Sequence, residues 1–221
     1  MTAVTPQPGR RSGEADTLTT SERILDAAEA LFAEKGFAGT AVRDIATRAG
    51  LHPGSLYNHF ESKQALYEAV LQRGLRPIYE ILDRAADPEA PPGPEMLLAL
   101  MAHLSASPAL ARLIQHETLA GGEHAMRFVR RWLEPVYARA SLALERSPNL
   151  GDWDREELPL LLMTYHHLIF GHYALAGALG QVLDIDLLSS DAVERHTRFL
   201  VKLSERLLGT AEEGERGGNA T

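Results

Sequence analysis

The chain of 221 residues is predicted to be all-α, with a small three-helix head at its N-terminus and a larger helical body. Three observations predict this class. Apolar residues recur at helical spacing in most segments, and capping residues, prolines and glycines mark where those segments begin and end. No segment shows the convincing alternation of apolar and polar residues that a half-buried strand requires. The length allows one large domain or two modest ones.

The first helix is expected to begin near Thr19, behind a disordered tail. Residues 1–18 are rich in Pro, Gly and polar residues, so they offer little apolar surface to bury. An arm that reaches into a DNA minor groove through Arg10–Arg11 is the alternative for this tail. Thr19 and Glu22 fit a capping box, and apolar residues at helical spacing follow until Gly36.

The next segment has the sequence signature of a helix-turn-helix, in which a glycine-containing turn joins two short helices. Thr40 is placed to cap a helix over Ala41–Ala49, because its hydroxyl can accept from the free amides of the first turn. Gly50 supplies the left-handed residue that ends this helix. A second helix of about two turns, Pro53–His59, opens with a proline, and Ser62 caps the helix after it.

The head is therefore predicted over residues 19–73, the helical body over residues 74–208 and a disordered tail over residues 209–221. The helix that begins at Lys63 joins head and body, and a kink or break is expected near Gly74–Pro77 because proline removes a helical hydrogen bond. The remaining helices are expected at Met96–Ser105, Pro108–Leu119, Glu123–Arg146 (bent at Pro135), Leu158–Val182 and Ser190–Leu208.

The helix-turn-helix segment resembles the DNA-binding core of the TetR (tetracycline-repressor) family. The resemblance is carried by Thr40, Ala49–Gly50, Tyr57–Asn58–His59–Phe60 and Lys63, and by the preceding Ile24–Thr40. It covers roughly the first third of the chain, while the rest is similar to the family only in length and helical character. The resemblance implies a bacterial, cytoplasmic, dimeric regulator of transcription, a repressor that binds double-stranded DNA and responds to a small-molecule effector.

The second short helix would lie in the major groove of the DNA, as recognition helices of this motif do. Arg43 is expected to reach bases, with guanine as its best partner. Tyr57 and His59 would contact phosphates, as the resemblance implies. The full set of predicted DNA-binding residues is Thr40, Arg43, His52, Gly54, Ser55, Tyr57, Asn58, His59 and Lys63. His52, Pro53 and Asn58 depart from residues common in the family, which leaves the operator sequence open.

The charge distribution disfavours a non-specific coat on nucleic acid, which needs a broad positive surface. The chain carries a net charge of −8, and up to residue 74 it has 8 basic and 9 acidic residues. DNA binding would therefore depend on a few well-placed cations, hydroxyls and helix N-termini. The absence of cysteine excludes disulfides, and no secretory signal is recognisable at the start of this sequence.

Residues Leu158–Leu183 contain no Asp, Glu, Lys or Arg and are long enough to cross a bilayer. Three histidines within them and acidic residues on both sides disfavour a membrane span. We expect a buried helix that pairs with the last helix in a two-fold, four-helix dimer interface, as the resemblance also implies. Packing within one chain is the alternative. The predicted interface residues are Leu160, Thr164, His167, Gly171, Ala174, Ala178, Val193, Leu200, Leu203 and Leu207.

An effector pocket is predicted in the body, because apolar and aromatic residues occur there with a few neutral hydrogen-bonding groups. An ordinary core with satisfied histidines is the alternative. The residues predicted to line the pocket are His103, Gln115, His116, Phe128, Trp132, Tyr165, Ile169 and His172.

No cofactor, metal site or enzymatic activity is expected. His116–Glu117 begins like a zinc-protease helix, but Ala120 stands where the second histidine is required. His166, His167 and His172 lack the spacing of four residues that places two ligands on one helix face. Phosphate-binding loops and nucleophile motifs are also missing from the sequence. The alternative to a regulator is a helical small-molecule-binding protein or enzyme whose helix-turn-helix docks onto another protein.

Overall fold

The computed structural model describes residues 19–90, 94–146, 150 and 153–208. Within them all regular structure is helical, which confirms the predicted class. In chain order the helices are α1 (Thr20–Gly39), α2 (Val42–Arg48), α3 (Pro53–Leu56), α4 (Lys63–Ala86), α5 (Glu95–Ala106), α6 (Pro108–Leu119), α7 (Gly122–Phe128), a π-helical turn (Val129–Leu133), α8 (Glu134–Leu144), α9 (Leu158–Leu183) and α10 (Ser190–Leu208). The predicted tails, including Arg10–Arg11, lie outside the described residues.

Helix α1 begins as predicted, with both hydrogen bonds of a capping box. The backbone amide of Glu22 donates to the Thr19 hydroxyl at 3.2 Å, and the Thr19 amide donates to the Glu22 carboxylate at 2.7 Å. Gly36 interrupts the helix with φ 69° and ψ 174°, a conformation that is essentially restricted to glycine. The regular part of α1 therefore ends where the sequence predicted, and a short turn leads from there to α2.

The prediction that Thr40 caps α2 is wrong. Its hydroxyl lies 3.1 Å from the carbonyl oxygen of Leu31 and 2.8 Å from that of Gly36, and the residue is only 2% exposed. The N-cap of α2 is Ala41, whose side chain makes no capping bond. Thr40 closes α1 because the last carbonyls of a helix lack partners within it and accept from a nearby hydroxyl.

The turn between α2 and α3 confirms the helix-turn-helix geometry. Gly50 has φ 70°, the left-handed conformation expected at the end of α2. Helix α3 is shorter than predicted, since regular helix stops at Leu56 and the next residues form a turn. The Asn58 amide donates to the Ser55 carbonyl three residues back, so the chain tightens rather than continuing the α-helix. Ser62 caps α4 as predicted, because its hydroxyl accepts from Ala65 N at 3.0 Å.

Helix α4 runs without interruption from the head into the body, so of the kink or break predicted near Gly74–Pro77 the break is wrong. Neighbouring helices stabilise this stretch. The Nε2–H of His103 on α5 donates to the Gly74 carbonyl at 2.8 Å. Leu110 of α6 packs so closely on Gly74 that a Cβ there would lie 2.5 Å from the Leu110 Cδ1 atom. These contacts compensate for the hydrogen bond that Pro77 cannot donate.

Helix α6 lies at the centre of the molecule, because it packs against α1 of the head and against α9 of the body. Most buried apolar residues of head and body form one contiguous core, and Leu144, Leu161 and Leu208 form a second, smaller cluster. The long helix predicted over Glu123–Arg146 is divided into α7, the π-helical turn and α8, and the π-helical turn ends just before Glu134 and Pro135. None of the described helices is by itself long and apolar enough to cross a membrane. Helices α5 and α6 reach that length and hydropathy together, but a bend of 94° separates them.

Candidate DNA-binding interface

The exposed sides of α2, α3 and the turn after α3 form one surface of the head. Apolar residues on the opposite sides hold these elements in place, since Ile45 of α2 and Leu56 of α3 are both fully buried. Burying two such side chains stabilises the arrangement by about 3–6 kcal/mol relative to leaving them in water. The polar residues between them are thereby directed outward, where a ligand can reach them.

Seven of the nine predicted DNA-binding residues lie in α2, in α3 with its N-cap, and in the turn after α3, and Lys63 begins α4. Arg43, His52, Gly54, Tyr57, Asn58 and His59 are exposed, while Ser55 and Lys63 are half-buried. Tyr57 is notable among them, because 54% of so large an aromatic residue is open to solvent. Thr40 does not lie at this surface: its buried hydroxyl donates to carbonyls at the end of α1, so its assignment to the interface is wrong.

Two of the predicted DNA-binding side chains, at the starts of α3 and α4, already make contacts within the protein. His52 is the N-cap of α3, and its Nδ1 atom accepts from Gly54 N at 3.3 Å. This contact orients the imidazole ring at the entrance of the helix and leaves its other nitrogen, Nε2, for a ligand. Lys63 is directed toward the ring of Phe37, with its Nζ atom 4.4 Å from the ring centroid. Partial burial lowers the pKa of Lys63.

Ser21 belongs to the same surface although the sequence pattern did not indicate it. Its hydroxyl lies 3.1 Å from Nδ1 of His59, which brings the start of α1 beside the turn after α3. The two residues are 38 positions apart, so no local pattern predicts the contact. Ser21 falls in the first turn of α1, where free backbone amides favour an anion.

Several acidic residues of the head form ion pairs within the protein. Asp44 pairs with Lys35 at 3.5 Å, and Arg73 binds both Asp26 and Glu29 at 2.7 Å. By contrast, neither Arg43 nor Arg48 forms an ion pair in the part of the chain that the structure describes. The exposed face of α2 therefore offers guanidinium groups to a ligand even though the head as a whole is not basic.

In the body, the residues predicted to line an effector pocket do not meet in one place. Tyr165 and His172 face α10: the Tyr165 hydroxyl donates to Ser204 Oγ at 3.0 Å, and the His172 ring stacks on His196 with centroids 4.0 Å apart. Burial lowers the pKa of both stacked imidazoles. Phe128 and Ile169 are buried in the main core, and Trp132 packs against its edge.

Two predicted pocket residues contact other elements. His103 is bonded to α4, through the Gly74 carbonyl. His116 packs directly against Gly36 of the head, where a Cβ would lie 2.2 Å from the His116 Cε1 atom. His116 therefore belongs to the junction between head and body, and its assignment to the effector pocket is wrong. Residues Gln115 and His116 are neighbours in sequence, but on a helix they project about 100° apart.

Gln115 meets a different group of residues, which the sequence pattern did not select. Its amide donates to Nε2 of His166 at 3.3 Å, and the His166 ring lies 4.7 Å from that of Phe170 and 5.9 Å from that of Tyr137. Burial, with a smaller contribution from His167, lowers the pKa of His166 to about 4. The spacing of four residues between His166 and Phe170 is the one signal in the sequence that could have suggested this cluster.

A row of apolar side chains on α9 faces solvent. Leu160, Met163, Leu175, Leu179 and Val182 are all exposed, Val182 to 80%. The predicted dimer residues Thr164, His167 and Ala178 are exposed beside them, and Gly171 and Ala174 are partly exposed, as are Val193, Leu203 and Leu207 on α10. Leu200 is fully buried in the core of its own chain, because α10 packs that side against α5, so its assignment to the dimer interface is wrong.

Comparison with known proteins identifies the head. Residues 24–70 match the family model of bacterial regulatory proteins, tetR family. Over 70 residues the chain is 44% identical to the HTH-type transcriptional repressor KstR2 of Rhodococcus jostii, a match that covers 31% of this chain and 33% of that protein. KstR2 of Mycobacterium tuberculosis is 38% identical over 92 residues, which are 40% of this chain and 42% of that protein. The matches thus span less than half the length of these curated relatives.

The likeness in fold extends beyond the head. The crystal structure of a transcriptional regulator from Aquifex aeolicus has a TM-score of 0.57 and 22% identity to this chain, with 86% of this chain and 99% of that one covered. At this level of identity the likeness shows a shared fold. The helix-turn-helix segment matches in sequence, and the helical body follows it in the same architecture. The head therefore matches the tetR family of bacterial regulatory proteins in sequence, and the chain as a whole shares the fold of a solved transcriptional regulator.

Proposed function

We propose that the protein is a cytoplasmic transcriptional repressor that binds a palindromic DNA operator as a homodimer and is released by a small-molecule effector. The observation that carries this proposal is the exposed polar surface of α2 and α3, held by a buried apolar side, within the segment that matches the family model. The names of the relatives that match this segment, HTH-type transcriptional repressors, support it.

Within the proposed complex, α3 enters the major groove with Ser55 and Gly54 at its leading end. Arg43 reaches from α2 toward a guanine, where its guanidinium can donate to O6 and N7 together. Tyr57 and His59 bind the flanking phosphates, and Ser21 supports the His59 ring from α1. In the proposed complex a few base contacts select the DNA sequence, and the phosphate contacts fix the position of the head on the duplex.

Dimerisation is proposed through the exposed apolar row on α9, defined by Leu160, Met163, Leu175, Leu179 and Val182. An apolar helix face of this length is costly to leave in water and is typical of a protein interface. Phe199 on α10 is 59% exposed and extends the row onto the second helix of the proposed interface. A two-fold axis through these helices would present two identical heads, which requires a palindromic operator with half-sites about 34–36 Å apart.

The effector is proposed to bind beside Gln115, Tyr137 and His166, between α6, α8 and α9. His166 is neutral at physiological pH because its pKa is about 4, so these side chains offer hydrogen bonds without charge. A site of this composition suits an apolar or aromatic molecule with an uncharged polar group. Binding there would separate α6 from α9 and change the position of the heads.

The proposal is tested by fluorescence anisotropy with labelled DNA duplexes from the regions that flank the gene of this protein. Arg43→Ala and Tyr57→Ala should each weaken binding to the specific duplex by about 10- to 100-fold, since one good contact of this kind contributes about 1–3 kcal/mol. Arg76→Ala is the matched control, because Arg76 is an exposed arginine on α4 whose one ion pair among the described residues is with Glu80.

The same experiment distinguishes DNA binding from the alternative function, in which the helix-turn-helix docks onto another protein. Under that reading, Arg43→Ala and Tyr57→Ala would bind the duplexes no differently from Arg76→Ala. The DNA-binding proposal would then be wrong, and so would the assignment of this surface to an operator.

A further inference from the structure

A carboxylate is buried where the body meets the head. Glu117 lies near the end of α6 and is only 1% exposed. Its Oε1 atom accepts the backbone amide of Phe37 at 2.9 Å, and its Oε2 atom accepts Nε2–H of His124 on α7 at 2.7 Å. Phe37 belongs to the turn that joins α1 to α2. A single side chain of the body thus holds the backbone of the head just before the helix-turn-helix begins.

Aromatic rings enclose this carboxylate. Phe37 stacks on His124 with centroids 5.5 Å apart and meets the edge of Tyr67 from α4 at 4.8 Å. The Tyr67 hydroxyl is buried without a hydrogen-bond partner among the described residues. Burial, and then the nearby charge of Glu117, raise the pKa of Tyr67. The buried charge of Glu117 therefore depends on few hydrogen-bond partners. Losing one of them would leave the carboxylate poorly paired in an apolar environment and would destabilise the folded protein.

The other end of α6 is tied to α1 as well. Ser107, immediately before α6, donates from its hydroxyl to the carboxylate of Glu29 on α1. The same carboxylate is bound by Arg73 of α4 at 2.7 Å. Since α6 has 12 residues and is about 18 Å long, these two carboxylates fix α1 to α6 at two well-separated points. A rotation of α6 cannot leave both contacts intact.

We propose that Glu117 is a positioning residue through which the body sets the orientation of the recognition helix. This inference rests on the proposed function and names the route by which it would be regulated. While the Phe37 amide is bound, the turn from Gly36 to Thr40 holds α2 and α3 at one angle to α6. Displacement of α6 by an effector withdraws the carboxylate, and the buried charge then moves into water rather than remaining unpaired. The junction thus has two discrete arrangements, which is what a switch requires.

The test uses the full-length protein and hydrogen–deuterium exchange read by mass spectrometry. Glu117→Ala should speed exchange in peptides that cover residues 36–41 by about tenfold or more, because a hydrogen bond to a charged group is lost. Glu117→Gln should have a smaller effect, since its amide oxygen can still accept from Phe37. Glu123→Ala is the matched control, because Glu123 is an almost fully exposed acid on α7 that, in the described part of the chain, forms an ion pair with Arg127 alone.

A second variant keeps the test decisive if Glu117→Ala fails to fold. His124→Phe preserves the ring that stacks on Phe37 but removes the hydrogen bond to Glu117, so it should also speed exchange over residues 36–41. In both variants α9 and α10 should exchange as in the wild type. Faster exchange throughout the chain would mean a loss of overall stability and would overturn the positioning role, as would unchanged exchange over residues 36–41.

Binding to the specific duplex separates this inference from the proposed function. If the wild-type protein binds and Glu117→Ala binds about tenfold more weakly than Glu123→Ala, both stand. If the wild-type protein binds and the two variants do not differ, the positioning role is overturned while the function stands. If the wild-type protein binds no duplex, the function fails, and the exchange measurement alone decides whether Glu117 holds the head.

Discussion

The buried imidazole of His166 should make the stability of the protein fall as the solution becomes acidic. In the folded protein burial, and then the charge of His167, lower the pKa of His166 from 6.5 to about 4. The unfolded chain therefore takes up a proton at this residue more readily than the folded protein does. The stabilising contribution is fully present above pH 6.5 and is lost as the pH falls from 6.5 toward 4.

The size of the effect follows from the two pKa values. The difference between 6.5 and about 4 corresponds to about 3 kcal/mol, lost in full only below pH 4. At pH 5 the expected loss is about 2 kcal/mol, and the partial exposure of the ring reduces this to about 1–2 kcal/mol. Because burial also lowers the pKa values of His172 and His196, these residues add to the loss in the same direction.

Urea unfolding at pH 7, 6 and 5 measures this dependence. His166→Phe preserves an aromatic ring beside Phe170 but cannot titrate, so its free energy of unfolding should fall by about 1–2 kcal/mol less than that of the wild type between pH 7 and pH 5. His59→Gln, which replaces an exposed histidine of the head, should follow the wild type. If wild type and His166→Phe lose the same stability, or the wild type becomes more stable in acid, the reasoning is refuted.

Three further predictions concern particular positions in the fold. Thr40→Val should lower the free energy of unfolding by about 1–2 kcal/mol in urea titrations, because the carbonyls at the end of α1 lose their hydroxyl donor; no loss would contradict the closing role of Thr40. Gly36→Ala should lower the free energy of unfolding by about 1–3 kcal/mol, because Gly36 has a backbone conformation that alanine rarely adopts. Gly39→Ala should lower it by less than about 1 kcal/mol, because the added Cβ would make an ordinary contact of 3.4 Å. Equal losses in the two variants would refute this reasoning. Val182→Glu should shift the protein from dimer to monomer in analytical ultracentrifugation without unfolding it, and a persistent dimer would exclude the α9 row as the interface.

Most helix ends could be predicted from the sequence, because they are decided by groups a few residues apart. The capping box of Thr19 and Glu22, the left-handed Gly50 and the cap at Ser62 are local hydrogen bonds or local backbone preferences, and the structure has all three. The same holds for α10, whose bounds match the predicted Ser190–Leu208. The helix-turn-helix is built from such local signals, so its presence could be recognised before any packing was known.

Where local signals compete with distant partners, the sequence alone was misleading. Thr40 has the identity and position of an N-cap, yet its hydroxyl donates to the carbonyls of Leu31 and Gly36 at the end of α1. Pro77 should break a helix, yet His103 and Leu110 support α4 from two other helices. In both cases contacts with another part of the fold, 4 and 9 residues away for Thr40 and 29 residues away for Gly74, outweigh a local preference of about 1–3 kcal/mol.

The sequence by itself therefore determined the helical class, the helix-turn-helix and its exposed polar residues, since these follow from spacing along one chain. The tertiary structure alone decided which distant residues meet: His166 with Gln115, Ser21 with His59, and Glu117 with the backbone of Phe37, 80 positions away. Such contacts depend on how whole helices pack, and that packing is set by apolar surfaces shared among many residues rather than by any one short pattern.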